Sequence, residues 1–423
     1  MKGSARTAAA FTLLALLAVS PRASALLLTI NPRLAAGATN NAYGVSDSQT
    51  TTKSSDGYWS AGVNADLLWN RARDTHRLAY GFNTVRYFTF GGADVTTHTG
   101  LWSSNFILSS HTSYGMGANV SVFKASAINV VDPAVANPNL IPLVQAPTTI
   151  FTGSVSQSLT YEPTGVDKYT ELASVSLIRS LGESTTVPEL MQLNLAGRRD
   201  KTYGKNTYAL AVTLGDFFRL NEQEAGPEGT FSSGHTITGQ VLAGYRRDYS
   251  ARLSLDALAG MMVFYGTTAG SVAVGPAGTA TVAYRSVPWY ATLTIAQSPS
   301  VNIFVGEALV ADSATARVSM PLNARETFLV SGFGTYTYAR RVTSDKHSIF
   351  APRVYDLFSL GASLAYRLER WPIAMSLDYT VSSQRGSLDS GVYYPSSARS
   401  TIGVAVTGLF GFGEGNHGWL QTR

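Results

Sequence analysis

The residues with the widest chemical repertoire in this chain are six histidines, His76, His98, His111, His235, His347 and His417, set among many serines and a modest number of carboxylates. None of the histidines forms a helical pair with a carboxylate. The chain contains no HExxH, no GxSxG elbow and no phosphate-cradling glycine loop behind a buried strand. A Ser/His/Asp set can be composed from so many serines, but nothing in the pattern marks one serine above another. The sequence therefore reads as non-enzymatic, with no cofactor and no metal site. Cysteine is absent, which removes disulfides, thiolate metal ligands, a thiol nucleophile and lipid attachment at an N-terminal cysteine.

Polar residues that could line a passage are more regular. In "SAGVNADLLW", residues 60 to 69, Ala61, Val63, Ala65, Leu67 and Trp69 fall on one side of an extended strand, with Gly62, Asn64 and Asp66 on the other. After "NRARDT" the alternation resumes, with Leu78, Tyr80 and Phe82 against Arg77, Gly81 and Asn83. The pair reads as a hairpin. The same rhythm recurs to the C-terminus, for example with Tyr114, Met116, Ala118 and Val120 against Gly115, Gly117 and Asn119. About eighteen segments follow it, each near the roughly 10 residues that a tilted membrane strand needs, and sixteen is the alternative count.

The connections alternate too. Short links such as "NRARDT", "SSHTS", "RRDYS" and "RLERWP" separate longer ones such as "SSQRGSLDSGVYYPSSARS". That is the pattern of short periplasmic turns and longer outer loops, and it puts both ends of the barrel chain in the periplasm. Trp69, Tyr245, Tyr284 and Tyr366 close strands beside short turns, and Trp289 and Trp371 open the strand after one, as an interfacial aromatic girdle requires. No amphipathic helix is evident in the mature chain. The fold class is all-β: a transmembrane antiparallel up-and-down β-barrel.

Composition agrees. Charged residues make up only 14% of the 423, against about 25% in a typical soluble protein, too little to clothe a soluble surface of this size. The net charge of +5 comes without a Lys/Arg run, which argues against nucleic acid as a partner. "MKGSAR", then "TAAAFTLLALLAVS", then "ASA" at Ala23 to Ala25 read as a cleaved signal peptide over residues 1–25. The barrel is expected over 26–412 and a tail over 413–423, in the cell outer membrane of a Gram-negative bacterium and in contact with its lipid.

Candidate lumen-lining residues are Asn64, Asp66, Asn83, Asn119, Gln240, Arg252, Asp256, Arg317, Arg367 and Asp378. Small hydroxyl side chains around them keep a wide bore. Sparse charges of both signs suit a neutral or weakly charged hydrophilic solute, since ion selectivity ordinarily uses a dense ring of one sign. The Pro-rich apolar link at 125–148 is expected to fold on the inner wall or against a neighbouring outer loop. The first strand starts beside the cleavage site, leaving no N-terminal plug and no periplasmic repeat domain. Arg71, Arg73, Arg246, Arg247, Arg367 and Arg370 at the short turns could dock a periplasmic partner.

"LTINPRLAAGATNNAYG", "SSDGYWSAGVNADLLW" and "HRLAYGFNTVRYF" resemble the opening strands of bacterial outer-membrane β-barrels found with exopolysaccharide pathways. The resemblance covers roughly the first 90 residues. It implies passage of secreted polysaccharide delivered by a periplasmic polysaccharide export protein; a general diffusion porin for small hydrophilic solutes is the alternative. Insertion would rely on the barrel-assembly machinery, but Phe410 and Phe412 are followed by "GEGNHGWLQTR", so the usual terminal aromatic signal is displaced from the C-terminus.

Overall fold

The computed structural model describes residues 25–41, 55–125, 148–181, 189–220, 235–266, 271–286, 288–302, 307–342, 350–368, 371–386 and 397–413. The alternating segments form β1 (Ala25–Thr39), β2 (Asp56–Asn70), β3 (Asp74–Tyr87), β4 (Val95–Ile107), β5 (Thr112–Ala125) and β6 (Thr148–Tyr161). They continue with β7 (Asp167–Ser180), β8 (Leu190–Tyr203), β9 (Asn206–Arg219), β10 (His235–Asp248), β11 (Leu253–Gly266) and β12 (Ser271–Ser286). The rest of the wall is β13 (Trp289–Asn302), β14 (Glu307–Pro321), β15 (Phe328–Val342), β16 (Phe350–Arg367), β17 (Ile373–Gly386) and β18 (Ser397–Gly408). After Leu409, the four-residue β19 (Phe410–Gly413) prolongs β18.

Each strand from β1 to β18 pairs antiparallel with its sequence neighbours, and β1 returns to pair with both β18 and β19 as well as with β2. The wall is thus a closed, all-antiparallel barrel of eighteen staves, with no free edge. Phe410 and Phe412 lie within this closure, opposite Ile30 and Leu28. The chain after Gly413 lies outside the described residues, as do residues 126–147 of the Pro-rich link expected to fold on the inner wall or against an outer loop.

Alternation decides the two faces. On β9, Leu210, Val212 and Leu214 are about half exposed and stand between Ala209, Ala211 and Thr213. Cross-strand partners share a face, so Leu210 continues into Ala243, and Val212 into Val241. The same apolar outer set runs on through Met261 and Val263 on β11, Leu293 and Ile295 on β13, and Leu360 and Leu364 on β16. A large apolar surface on a closed sheet is stable only against lipid.

At the short-turn end this outer face carries a band of touching rings. Trp69 stacks on His76 at 5.0 Å, His76 meets Phe106 at 5.5 Å, and Phe106 meets Tyr114 at 6.4 Å. Further round are Tyr161 with Tyr169, Tyr208 with Tyr245, and Phe328 with Tyr366. Rings at one level mark a membrane interface. Trp371 departs from expectation by lying in the turn before β17 and not on a stave. The build is that of an outer-membrane β-barrel.

Turn lengths follow the expected alternation except after β11 and β13, whose outer links, 267–270 and 303–306, are as short as the periplasmic turns. The two-residue turn between β8 and β9 uses Gly204 at φ +60°, which a side chain rarely adopts. Gly361 on β16 leaves room for the Phe333 ring of β15, whose nearest atom would be 2.0 Å from an added Cβ.

The facing assignment has a direct check on β13. Ile295→Arg places a cation in the bilayer and should lower unfolding stability by about 2–4 kcal/mol, whereas Ala296→Arg on the water side should change it by no more than about 0.5 kcal/mol. Urea titration of vesicle-inserted barrel measures both.

Candidate functional site: the inner wall

Because the sheet is closed, polar side chains of distant strands are brought together across its concave face. The clearest case is Arg198 on β8. Its Nε donates to Asp200 Oδ1 at 2.8 Å, and its Nη2 reaches Asp256 Oδ2 on β11 at 3.4 Å. Strands are about 4.8 Å apart, so the wall from β8 to β11 spans roughly 14 Å. An arginine crosses that span only on the inside of a curve. Ala209, Ala211 and Gly244 lie on the same face of the two staves between, and their small size leaves the path open.

Two further pairs follow the same logic. Arg33 on β1 donates from Nη2 to Asp378 Oδ2 on β17 at 3.0 Å, over Gly403 and Ala405 of β18, and Asp378 also accepts from the hydroxyls of Ser363 at 2.6 Å and Ser376 at 2.9 Å. Arg77 on β3 donates from Nε to Asp66 on β2 at 2.7 Å. These side chains stay partly solvated, so each pair contributes no more than about 1 kcal/mol. Their effect is on the field inside the bore.

The register places Asn64, Asp66, Asn83, Asn119, Gln240, Asp256, Arg317, Arg367 and Asp378 on this inner face. Arg252 is a correction: it lies in the turn before β11, where its carbonyl accepts from Arg285 N. Its apparent alternation with Leu253 belongs to a turn residue and not to the wall. Asp66, Asp256 and Asp378 are drawn into ion pairs; the nine do not gather at one point but are spread around the barrel.

Arg33, Arg77, Lys168, Arg198, Arg246 and Arg285 share the inner face with Arg317 and Arg367, all from mid-height to the short-turn end. Opposing these eight cations on the same face are Asp66, Asp200, Asp248, Asp256 and Asp378, of which Asp248 lies 3.6 Å from Arg246. Among the described residues, the periplasmic half of the bore is therefore cationic. Sequence reading set Arg77 on the polar side of the opening hairpin without counting it among the lining residues, and missed Arg33, Arg198 and Asp200, although the same period-two alternation contains them.

Toward the outer end, Arg399 on β18 is 8% exposed and braces the closure: Nε donates to Thr39 Oγ1 at 3.2 Å, and Nη2 donates to the Tyr87 hydroxyl. Asp56 accepts from the backbone N–H of Thr89 and Phe90, each at 2.9 Å, and so holds the link after β3 against β2. One departure from a polar lining is an inward apolar patch of Leu242, Leu258, Met262 and Phe264 on β10 and β11.

One constellation resembles a catalytic relay. Asp74 Oδ2 is 2.7 Å from His76 Nε2, and His76 Nδ1 is 2.7 Å from Ser104 Oγ. Ser104 is only 3% exposed, and β4 is hydrogen-bonded to both neighbours along this stretch, so neither an accessible nucleophile nor an oxyanion hole is present there. Among the described residues no His/Asp/Glu group could hold a metal ion.

No protein-family model matches the chain, and no curated protein matches its sequence. Solved structures of similar build include OccAB3 of Acinetobacter baumannii, at 8% identity and TM-score 0.45, covering 92% of this chain and 100% of that one. OccK2 (OpdF) of Pseudomonas aeruginosa has 9% identity, TM-score 0.45 and coverage of 91% and 98%. The siderophore receptor PirA from Pseudomonas aeruginosa has 8% identity, TM-score 0.44 and coverage of 90% and 80%. At these values the likeness assigns no cargo.

The charge balance of the inner wall has a measurable consequence. In a planar bilayer under a KCl gradient the reversal potential should indicate anion preference. Arg198→Gln should weaken that preference, and the double variant Asp66→Asn, Asp378→Asn should strengthen it, with stability shifts of no more than about 1 kcal/mol per broken pair.

Proposed function

We propose that this protein is a passive outer-membrane channel for small hydrophilic solutes that favours anions over cations. The observation carrying this reading is the inner wall itself, polar over most of its staves and with eight cations against five carboxylates in its periplasmic half. Such an excess lowers the entry barrier for anions without a closed ring of one sign, and so leaves neutral solutes free to pass. Export through a cleaved leader over residues 1–25 and insertion by the barrel-assembly machinery belong to the same reading. Liposomes containing the purified barrel should swell in neutral sugars at rates that fall smoothly with solute size, and faster in a small dicarboxylate than in a dication of equal size. Equal rates for the two ions would remove the anion bias.

Polysaccharide passage is the second reading. It is favoured by a charge-free arc of inner wall on β4 to β6, where Ser103, Asn105, Asn119, Ser154, Ser156 and Ser158 border a shallow depression of about 360 Å³. Hydroxyls and amides both donate and accept, matching the edges of a neutral glycan. In this reading a periplasmic polysaccharide export protein would dock at the short turns. Deleting the gene should then lower cell-surface polysaccharide and raise the periplasmic pool; an unchanged surface polymer would leave the diffusion channel standing alone.

A further inference from the structure

The outer wall near the short turns is almost without charge. On β11 through β17 its outward positions at that level are Leu253, Tyr284, Trp289, Met320, Phe328, Tyr366 and Met375. Apart from Asp74 on β3, paired with Arg71 and His76, and Arg247 on β10, which lies over the Tyr249 ring, the outward charge at this level is concentrated on two adjacent staves. Asp167 and Glu171 face outward on β7, and Arg199 and Lys201 on β8.

The four are not mutually satisfied. Arg199 Nη2 meets Asp167 Oδ1 at 3.2 Å, and its guanidinium lies over the Tyr169 ring at 5.4 Å. Lys201 holds its ammonium over the Tyr203 ring at 5.2 Å and forms no ion pair among the described residues. Glu171 is exposed and has neither a hydrogen bond nor an ion pair among the described residues. It stands one outward position inside the Tyr161–Tyr169 contact, about 5 Å deeper for a tilted strand. A carboxylate at that depth is stable as an anion only if its head reaches the headgroup layer and finds a donor there. Its cross-strand partner is Gly197, where an added Cβ would meet nothing within 4 Å, so a notch opens beside it.

We propose that this patch seats the headgroup of one zwitterionic phospholipid of the inner leaflet, with the phosphate held by Arg199 and Lys201 and the ammonium by Glu171 over the Gly197 notch. The charge pattern selects this ligand. Two cations and two carboxylates sum to zero, so an anionic lipid gains no net attraction, whereas a zwitterion can satisfy both signs at once. Glu171 and Arg199 are diagonal neighbours, roughly 7–8 Å apart at the backbone, a span that a phosphate and an ammonium joined by two carbons can bridge. Above the patch, the exposed Val175 and Leu195 offer the acyl chains an apolar wall.

The test is native mass spectrometry of the full-length barrel extracted from vesicles of equal parts phosphatidylethanolamine and phosphatidylglycerol. The wild type should retain one phosphatidylethanolamine. The double variant Arg199→Gln, Lys201→Gln should lose it by at least about tenfold, as the loss of charge-assisted hydrogen bonds to phosphate implies. Glu171→Gln leaves the cations in place and should switch retention toward phosphatidylglycerol. Heat-modifiable migration on gels confirms that each variant has folded. Retention of phosphatidylglycerol by the wild type at the level of phosphatidylethanolamine, or an undiminished adduct in the double variant, would overturn the assignment. So would a barrel dimer that the double variant abolishes, because the patch would then be covered by a second copy of the chain.

Discussion

A backbone N–H or C=O left unpaired in hydrocarbon costs several kcal/mol, and everything else in this structure depends on avoiding that cost. Each stave is bonded on both sides, and the one seam, where the chain's first and last strands meet, is closed by β18 and β19 together against β1. Once the backbone is saturated by closure, side chains are left with a single task on each face. Outside they must match lipid; inside they are free to be polar. The seam receives extra polar support from within. Arg399 ties β18 to β1 and β3 at the outer end, and Arg33 ties β1 to β17 at mid-height. Both cross the join between the chain's first and last strands on the water side, where the cost of placing a charge is low.

The faces and strand order were legible because a strand's side chains alternate with period two, and in a closed sheet that one period sets every facing. Asn64, Asp66 and Asn83 could be assigned inward from the opening hairpin alone, and Trp69 outward. What alternation cannot show is which inward residues meet. Arg198 and Asp256 are 58 positions apart and three staves apart, and their contact depends on wall curvature and on small residues between them, neither of which is a local property. Arg252 failed for the opposite reason: the alternation of β11 extends by one residue into a turn, where period two has no meaning. The apolar inward patch around Met262 and Phe264 was hidden as well, because on a stave whose outer residues are also apolar both faces look alike.

The inner wall joins fold to function through the uneven distribution of its charges. Had the cations been fully paired, the bore would be electrically flat. Instead the carboxylates are shared: Asp378 takes one arginine and two serine hydroxyls, while Arg198 engages two carboxylates by itself. The cations in excess stand at several heights from the middle of the wall to the short-turn end and do not form a filter at one level. An excess spread in this way biases diffusion by sign while imposing little demand on the shape of what passes.

The same economy explains why the outer wall is informative where it breaks its own rule. An interfacial position can hold an aromatic ring at no electrostatic cost, and most of the girdle does so. Arginine and lysine at this level are tolerable because their long stems let the charge reach water, with Tyr169 and Tyr203 as supporting surfaces. Glu171 has no such explanation. Its side chain is shorter, it lies on the membrane side of the tyrosines, and the cross-strand position that could have supplied a cation is a glycine. A carboxylate in that setting is stabilised by a donor that the described chain does not contain, and the layer in contact with it is made of phospholipid headgroups.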